Sequence, residues 1–125
     1  MTILDELGDK NIHRIVQEWV PGRQITLAHI IANPDEDLYI KLGLDPQDNY
    51  SKAAIGILTV TPSECAIIMA DVGMKAAGIK IGFVDRFSGS LIITGTVSEV
   101  EAAINAILQY VTQKLGYTAC EITKT

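Results

Sequence analysis

Histidine and cysteine each occur only twice in these 125 residues, and neither pair is arranged for chemistry. His13 and His29 have no second histidine or cysteine three or four positions away, so the helical spacing of a metal site is missing and no metal or other cofactor is expected. Cys65 and Cys120 lie far apart in apolar surroundings, the setting of reduced, buried thiols in a cytoplasmic protein rather than of a disulfide framework. Basic charge is also scarce. Ten Lys and Arg stand against fifteen Asp and Glu, and the net charge of −5 opposes nonspecific contact with nucleic acid or an anionic membrane. No basic segment followed by an apolar run opens the chain, and no stretch approaches the ~20 apolar residues of a membrane span, so neither export nor a membrane is expected. The glycines match neither a phosphate loop nor a dinucleotide fingerprint, and Ser63 and Ser88 have no nucleophile-elbow context. No catalytic residue and no enzyme activity is expected.

Apolar residues are plentiful at 48%, against 20% charged, which is high for a monomer of this length and points to apolar surface used on partners. The length suits one domain with one core. Helix punctuation is legible. Thr61-Pro62-Ser63-Glu64 has the pattern of a capping box before a helix over 62–77, with Gly78 as its stop. Ser98-Glu99-Val100-Glu101 repeats that pattern, and Ile104, Ile107, Leu108, Val111 and Leu115 follow at helical spacing until Gly116. Strands are expected at 53–60, 79–85, 91–97 and 117–123. Strand, helix, strand, strand, helix, strand is the ferredoxin-like order, so 53–125 reads as a mixed α/β (α+β) core with two helices on one face of a sheet.

Upstream, residues 12–20 read as a further strand with two mixed faces, and Pro21-Gly22 ends it. Thr26 is placed to cap a helix over 27–32, and Asn33-Pro34-Asp35-Glu36 restarts helix until Gly43. Residues 45–52 form a polar linker. A strand before a complete sheet must pair with its own sheet or with copies of itself around an axis. The turn at Asp85-Arg86-Phe87-Ser88-Gly89-Ser90 joins two strongly apolar strands and is built to be presented. Cys65 and His29 are the remaining candidates for reactivity. The neighbours Ala66, Ile67 and Ile68 argue that the thiol is buried, and His29 reads as a packed or interface residue.

Several blocks together resemble one family. Gln17-Glu18-Trp19-Val20-Pro21-Gly22-Arg23-Gln24-Ile25-Thr26-Leu27-Ala28-His29, then Ala54-Ile55-Gly56-Ile57-Leu58-Thr59-Val60-Thr61-Pro62-Ser63-Glu64, Ile81-Gly82-Phe83-Val84-Asp85-Arg86-Phe87-Ser88-Gly89 and Cys120-Glu121-Ile122-Thr123-Lys124-Thr125 are similar to circularly permuted, single-domain shell proteins of bacterial microcompartments of the ethanolamine-, propanediol- and choline-utilisation types. The resemblance covers nearly everything from Ile15 onward.

It implies a homohexameric tile, without cofactor, that packs with other shell proteins around enzymes of an aldehyde-producing pathway in the cytoplasm. Encapsulated enzymes are a further class of partner; nucleic acid and membrane are not. By the same resemblance 12–125 is one permuted shell domain, made of a barrel strand over 12–20, a permuted helix over 27–43 and the core over 53–125. Arg14, Val16, Glu18 and Val20 then belong to a strand that caps the pore, and Arg86, Phe87, Ser88 and Gly89 to the loop at the sixfold axis. Lys75 and Lys124 are the candidates for the tile edge. The acidic leader 1–11 departs from the pattern and reads as a cargo-docking, barrel-resting or disordered segment. An oligomeric, ferredoxin-like regulator binding a metabolite between subunits is the rival reading from another class, and a small enzyme using Cys65 or His29 a third.

Overall fold

The computed structural model describes residues 23–44 and 53–125, so the expected linker at 45–52 lies outside the described residues. Strand β1 (Gln24–Ile31) comes first, followed by the short helix α1 (Glu36–Lys41). Strand β2 (Ala54–Thr61), helix α2 (Cys65–Ala76), strands β3 (Lys80–Asp85) and β4 (Ser90–Gly95) and helix α3 (Val97–Gln113) form the core. Two short strands, β5 (Thr118–Ala119) and β6 (Thr123–Lys124), close the described chain.

The main correction concerns β1. The helix expected over 27–32 is a strand, and only 36–41 of the expected 27–43 helix is helical. Ile25, Thr26, Ile30 and Ile31 are β-branched, and a partner on each side decides the conformation that local pattern left ambiguous. β1 runs antiparallel to β2, from Gln24 opposite Thr61 to Ile31 opposite Ile55, with a bulge between Ile25 and Leu27. Thr26, expected to cap a helix, sits at that bulge and shares a 2.5 Å hydroxyl hydrogen bond with Thr59. The sheet order is β3-β4-β2-β1, with β5 and β6 both parallel to β1 on its outer edge.

This topology corrects the expected extent of the core. In a ferredoxin-like sheet the last strand returns beside the first. Here the place beside β2 belongs to β1, which precedes the core, and the segment around 117–123 is displaced outward to β1. The fold is therefore ferredoxin-like and circularly permuted.

Parity along the strands divides the sheet into two faces. Ala54, Leu58, Val60, Leu91 and Ile93 face α2 and α3, where Cys65, Ala66, Met69, Val100, Ile104, Ile107 and Val111 complete the main core. Gly56 lies on this face directly beneath α3: a Cβ there would stand 2.8 Å from Ile93 Cγ1 and 2.9 Å from Val100 Cγ1, so its bare backbone sets how closely the helix packs. Ile55 points to the opposite face and meets Tyr39 and Leu44 of the α1 region. The Tyr39 hydroxyl donates to the Ala53 carbonyl, tying α1 to the start of β2.

Of the two expected capping boxes, the first does not form and the second is displaced. Thr61 ends β2, and residues 62–64 form a turn in which Cys65 N donates to Pro62 O; α2 begins at Cys65 with Glu64 as its cap and no side-chain capping bond. At α3 the box is formed by Thr96 and Glu99, two residues before the expected Ser98 and Glu101. Thr96 Oγ1 accepts from Glu99 N at 3.1 Å, and Glu99 Oε1 accepts from Thr96 N at 3.0 Å. Both pairs satisfy the same spacing rule, but Thr96 directly follows β4 with an extended backbone, which is the cap geometry. At α1 the cap is Asp35, whose carboxylate accepts from Asp37 N, rather than Asn33. Thr96→Ala is expected to lower stability by about 1 kcal/mol, read as a shift of the urea midpoint at unchanged slope.

Candidate assembly interface

The hairpin between β3 and β4 is ordered by its own side chains. The Asp85 carboxylate accepts from Phe87 N at 2.8 Å through one oxygen and from the Ser88 hydroxyl at 2.8 Å through the other, and Ser88 Oγ lies 3.1 Å from Ser90 Oγ. Gly89 closes the turn at φ +77, donating to Asp85 O, while its own carbonyl accepts from Val60 N at the end of β2. These bonds leave Phe87 projecting outward with 81% of its surface exposed and the Arg86 guanidinium 5.1 Å from its ring centre. Arg86, Phe87, Ser88 and Gly89, named from sequence as loop residues, thus sit together at one presented tip.

Hydrogen bonds from Phe87 N and then the Ser88 hydroxyl hold the Asp85 carboxyl below the ordinary aspartate range. A carboxyl with a depressed folded pKa supports its structure above the unfolded value and stops doing so as pH falls through the folded one. The tip is expected to hold from neutrality down to about pH 4 and to loosen below it. A pH titration of the Phe87 amide by NMR should show this acid step, and Asp85→Asn should remove it.

Other apolar groups lie on the outside of the same domain. Cys65 is buried, as its apolar neighbours suggested, but Ile67 and Ile68 themselves are 52% and 44% exposed, whereas Ala66 and Met69 on either side of that pair are fully buried. Helical geometry separates these neighbours: the core side of α2 takes Cys65, Ala66, Met69, Ala70 and Gly73 and leaves Ile67, Ile68 and Met74 outside. Phe83 and Val84 on the edge strand β3 are also substantially exposed. Sequence reasoning missed this surface; the signal was an apolar population on α2 too wide for one buried stripe.

Lys75 lies on the outer side of α2, paired with Asp71 at 2.8 Å, and that contact holds its ammonium above the ordinary lysine range. Lys124 is engaged differently, in an ion pair with Glu101 of α3. The structure does not bring the two tile-edge candidates to one element: one is on α2 and the other on β6. Arg14, Val16, Glu18 and Val20 lie outside the described residues, as do the 1–11 leader and the whole expected barrel strand.

Cys65 is buried, and burial pushes its thiol upward despite a hydrogen bond with Tyr117. That is an inert setting for a nucleophile. His29 lies on β1 rather than on a helix, its Nδ1 hydrogen-bonded to the Thr123 hydroxyl and its Nε2 to that of Thr125. Among the described residues no three His, Cys, Asp or Glu side chains cluster as a metal site would require, and no helix is long and apolar enough to cross a membrane.

Residues 54–123 match the family described as the BMC domain. The chain is 51% identical over 112 residues to the bacterial microcompartment shell protein PduU of Salmonella typhimurium, covering 90% of this chain and 93% of that one. It is 48% identical over 122 residues to the shell protein CutR of Streptococcus intermedius, covering 98% and 99% respectively. A solved structure described as a CutR flat hexamer superposes with a TM-score of 0.77 at 46% identity, covering 98% of this chain and 99% of that one. The family match over 54–123, the two curated relatives and the permuted sheet agree, and the chain belongs to the bacterial microcompartment shell-protein family, as a circularly permuted, BMC-domain member.

Proposed function

We propose that this protein is a homohexameric tile of a microcompartment shell, structural rather than catalytic, which packs with other shell proteins in the cytoplasm around an aldehyde-producing pathway of the ethanolamine, propanediol or choline type. The observation that carries the reading is the likeness, over nearly the whole chain, to a relative solved as a flat hexamer. The exposed Ile67, Ile68, Met74, Phe83 and Phe87 supply the apolar surface that such packing requires.

In this reading the tip at Arg86, Phe87, Ser88 and Gly89 faces the sixfold axis. Ser88 and Gly89 line the passage, and Arg86 and Phe87 pack against the neighbouring chain. Six copies of 12–20, through Arg14, Val16, Glu18 and Val20, cap that passage from one side. Both lysines are ion-paired within the chain, Lys75 to its helical neighbour Asp71 and Lys124 to Glu101, and Lys75, the more exposed of the two, is the better candidate for the edge between tiles.

Native mass spectrometry tests the assembly. A species of six chains is expected, and Phe87→Glu should weaken it by about tenfold or more in dissociation constant while leaving the folded chain intact. Lys75→Ala should change chain stability by less than about 1 kcal/mol and still abolish the sheets of tiles visible by electron microscopy. A dimer or trimer whose melting point rises with a metabolite would instead favour the regulator reading.

A further inference from the structure

Among the described residues the methionines are Met69 and Met74, both on α2, and their surroundings are opposite. Met69 is fully buried in the main core, whereas Met74 leaves 55% of its surface outside. Helical spacing explains the contrast: Met69 shares the inner side with Ala66 and Gly73, and Met74 follows Ile67 and Asp71 along the outer side. One thioether is sealed and the other is presented.

The neighbours of Met74 give that sulfur its setting. Lys75 is the next residue, and its ammonium is held by Asp71 at 2.8 Å across one turn of the same outer side. Tyr110 of α3, itself exposed, lies within electrostatic range of that ammonium, so the patch spans both helices. Ile67 and Ile68 extend it with exposed aliphatic surface. Met74 therefore stands beside the lysine assigned to the tile edge and within the apolar surface around it.

Its chemistry differs from that of every other group in the patch, because a thioether reacts with a hydroperoxide under mild conditions. A sulfur lone pair attacks one peroxide oxygen and the O–O bond breaks. That oxygen remains on sulfur as a sulfoxide, its proton passes to the departing oxygen, and hydrogen peroxide is thereby reduced to water while the sulfur is oxidised by two electrons. Size is nearly kept, but polarity is not. On a free tile water hydrates the new oxygen, and the fold is untouched because the group is outside the core. At a packed edge the same oxygen loses its water, and an acceptor buried without a donor opposes the contact.

We propose that Met74 is an oxidation site that governs edge packing: a hydroperoxide converts it on a free tile, which then fails to join others, whereas a joined tile shields it. The inference rests on the reading of Lys75 as a tile-edge residue. Met69 is the control within the same helix.

Tiles are treated with hydrogen peroxide before and after they form sheets, and catalase stops the reaction. Peptide mass spectrometry should find an added oxygen on Met74 at least about tenfold faster than on Met69, and at least about tenfold slower in sheets than in free tiles. Free tiles oxidised at Met74 should keep their melting point and six-chain mass, while the concentration at which sheets appear by electron microscopy rises at least about tenfold. Met74→Leu conserves volume and removes the sulfur, and it should form sheets with or without peroxide. Because Cys65 is buried, Cys120 is partly so and both remain in that variant, it separates thiol oxidation from that of the thioether. Equal oxidation of the two methionines, no shielding in sheets, sheets formed as readily after Met74 is oxidised, or loss of sheets in peroxide-treated Met74→Leu each overturns the proposal. Lys75→Ala keeps the two readings apart. Sheets from that variant overturn the edge itself; their absence, together with peroxide-resistant sheets of the unaltered chain, overturns only the role of Met74.

Discussion

Gly89→Ala is expected to be among the most damaging single substitutions in the described chain, lowering stability by about 3 kcal/mol. Two causes combine. At φ +77 any L side chain is strained, and an added Cβ would stand 2.2 Å from the carbonyl oxygen of Val60. That oxygen is backbone near the end of β2, so relief requires moving either the end of that strand or the whole hairpin, not turning a side chain. Gly43 supplies the comparison: its φ is +73, but a Cβ there meets nothing within 4 Å. Gly43→Ala should therefore cost only the conformational part, about 1 kcal/mol. Urea unfolding at fixed protein concentration measures both. Equal losses for the two variants would show that contact with Val60 has no part in the effect.

Ile104→Ala is expected to cost about 3 to 4 kcal/mol, because the side chain is fully buried between α3 and the sheet and its loss leaves a cavity that β2 and β4 cannot close. The opposite change at the same contact also destabilises. Gly56→Ala forces a methyl group against Ile93, Val100 and Ile104 and should cost about 2 kcal/mol. The built Cβ lies 3.1 Å from Ile104 Cδ1, the atom that Ile104→Val removes. Gly56→Ala combined with Ile104→Val should therefore lose less than the sum of the single losses, by about 0.5 kcal/mol or more. Strict additivity would mean that α3 shifts as a body instead of packing through this contact.

Much of the core could be read in the chain because its signals are local and repeated. The apolar residues of α3 recur at helical spacing, and Val100, Ile104, Ile107 and Val111 are all buried. The hairpin could be read because Gly89 and the two flanking apolar strands leave few alternatives. Two features were misread for one shared reason. The segment around Leu27 satisfies a helical pattern, and Thr61 and Ser98 satisfy the capping rule; each rule holds locally, and the choice among equals is made by neighbours distant in sequence. Thr61 does not cap α2 because the turn over 62–64 stands between them, and Ile67 cannot be buried while Ala66 and Met69 occupy the inner side of the same helix.

The sequence by itself determined the class of the protein: a small, apolar, acidic α/β domain without a legible catalytic or metal site, with a presented hairpin and a resemblance spread over several blocks in order. Tertiary structure decided which segment closes the sheet. Residues 24–31 and 117–123 both have the composition of a strand next to β2, and only pairing distinguishes them: β1 forms a nearly continuous antiparallel ladder with β2, whereas the closing segment finds only two short parallel stretches on the far edge of β1. A ladder that satisfies more backbone groups and buries Ile25, Ala28 and Ile30 against α3 and its neighbours prevails over sequence order, and the permuted fold follows.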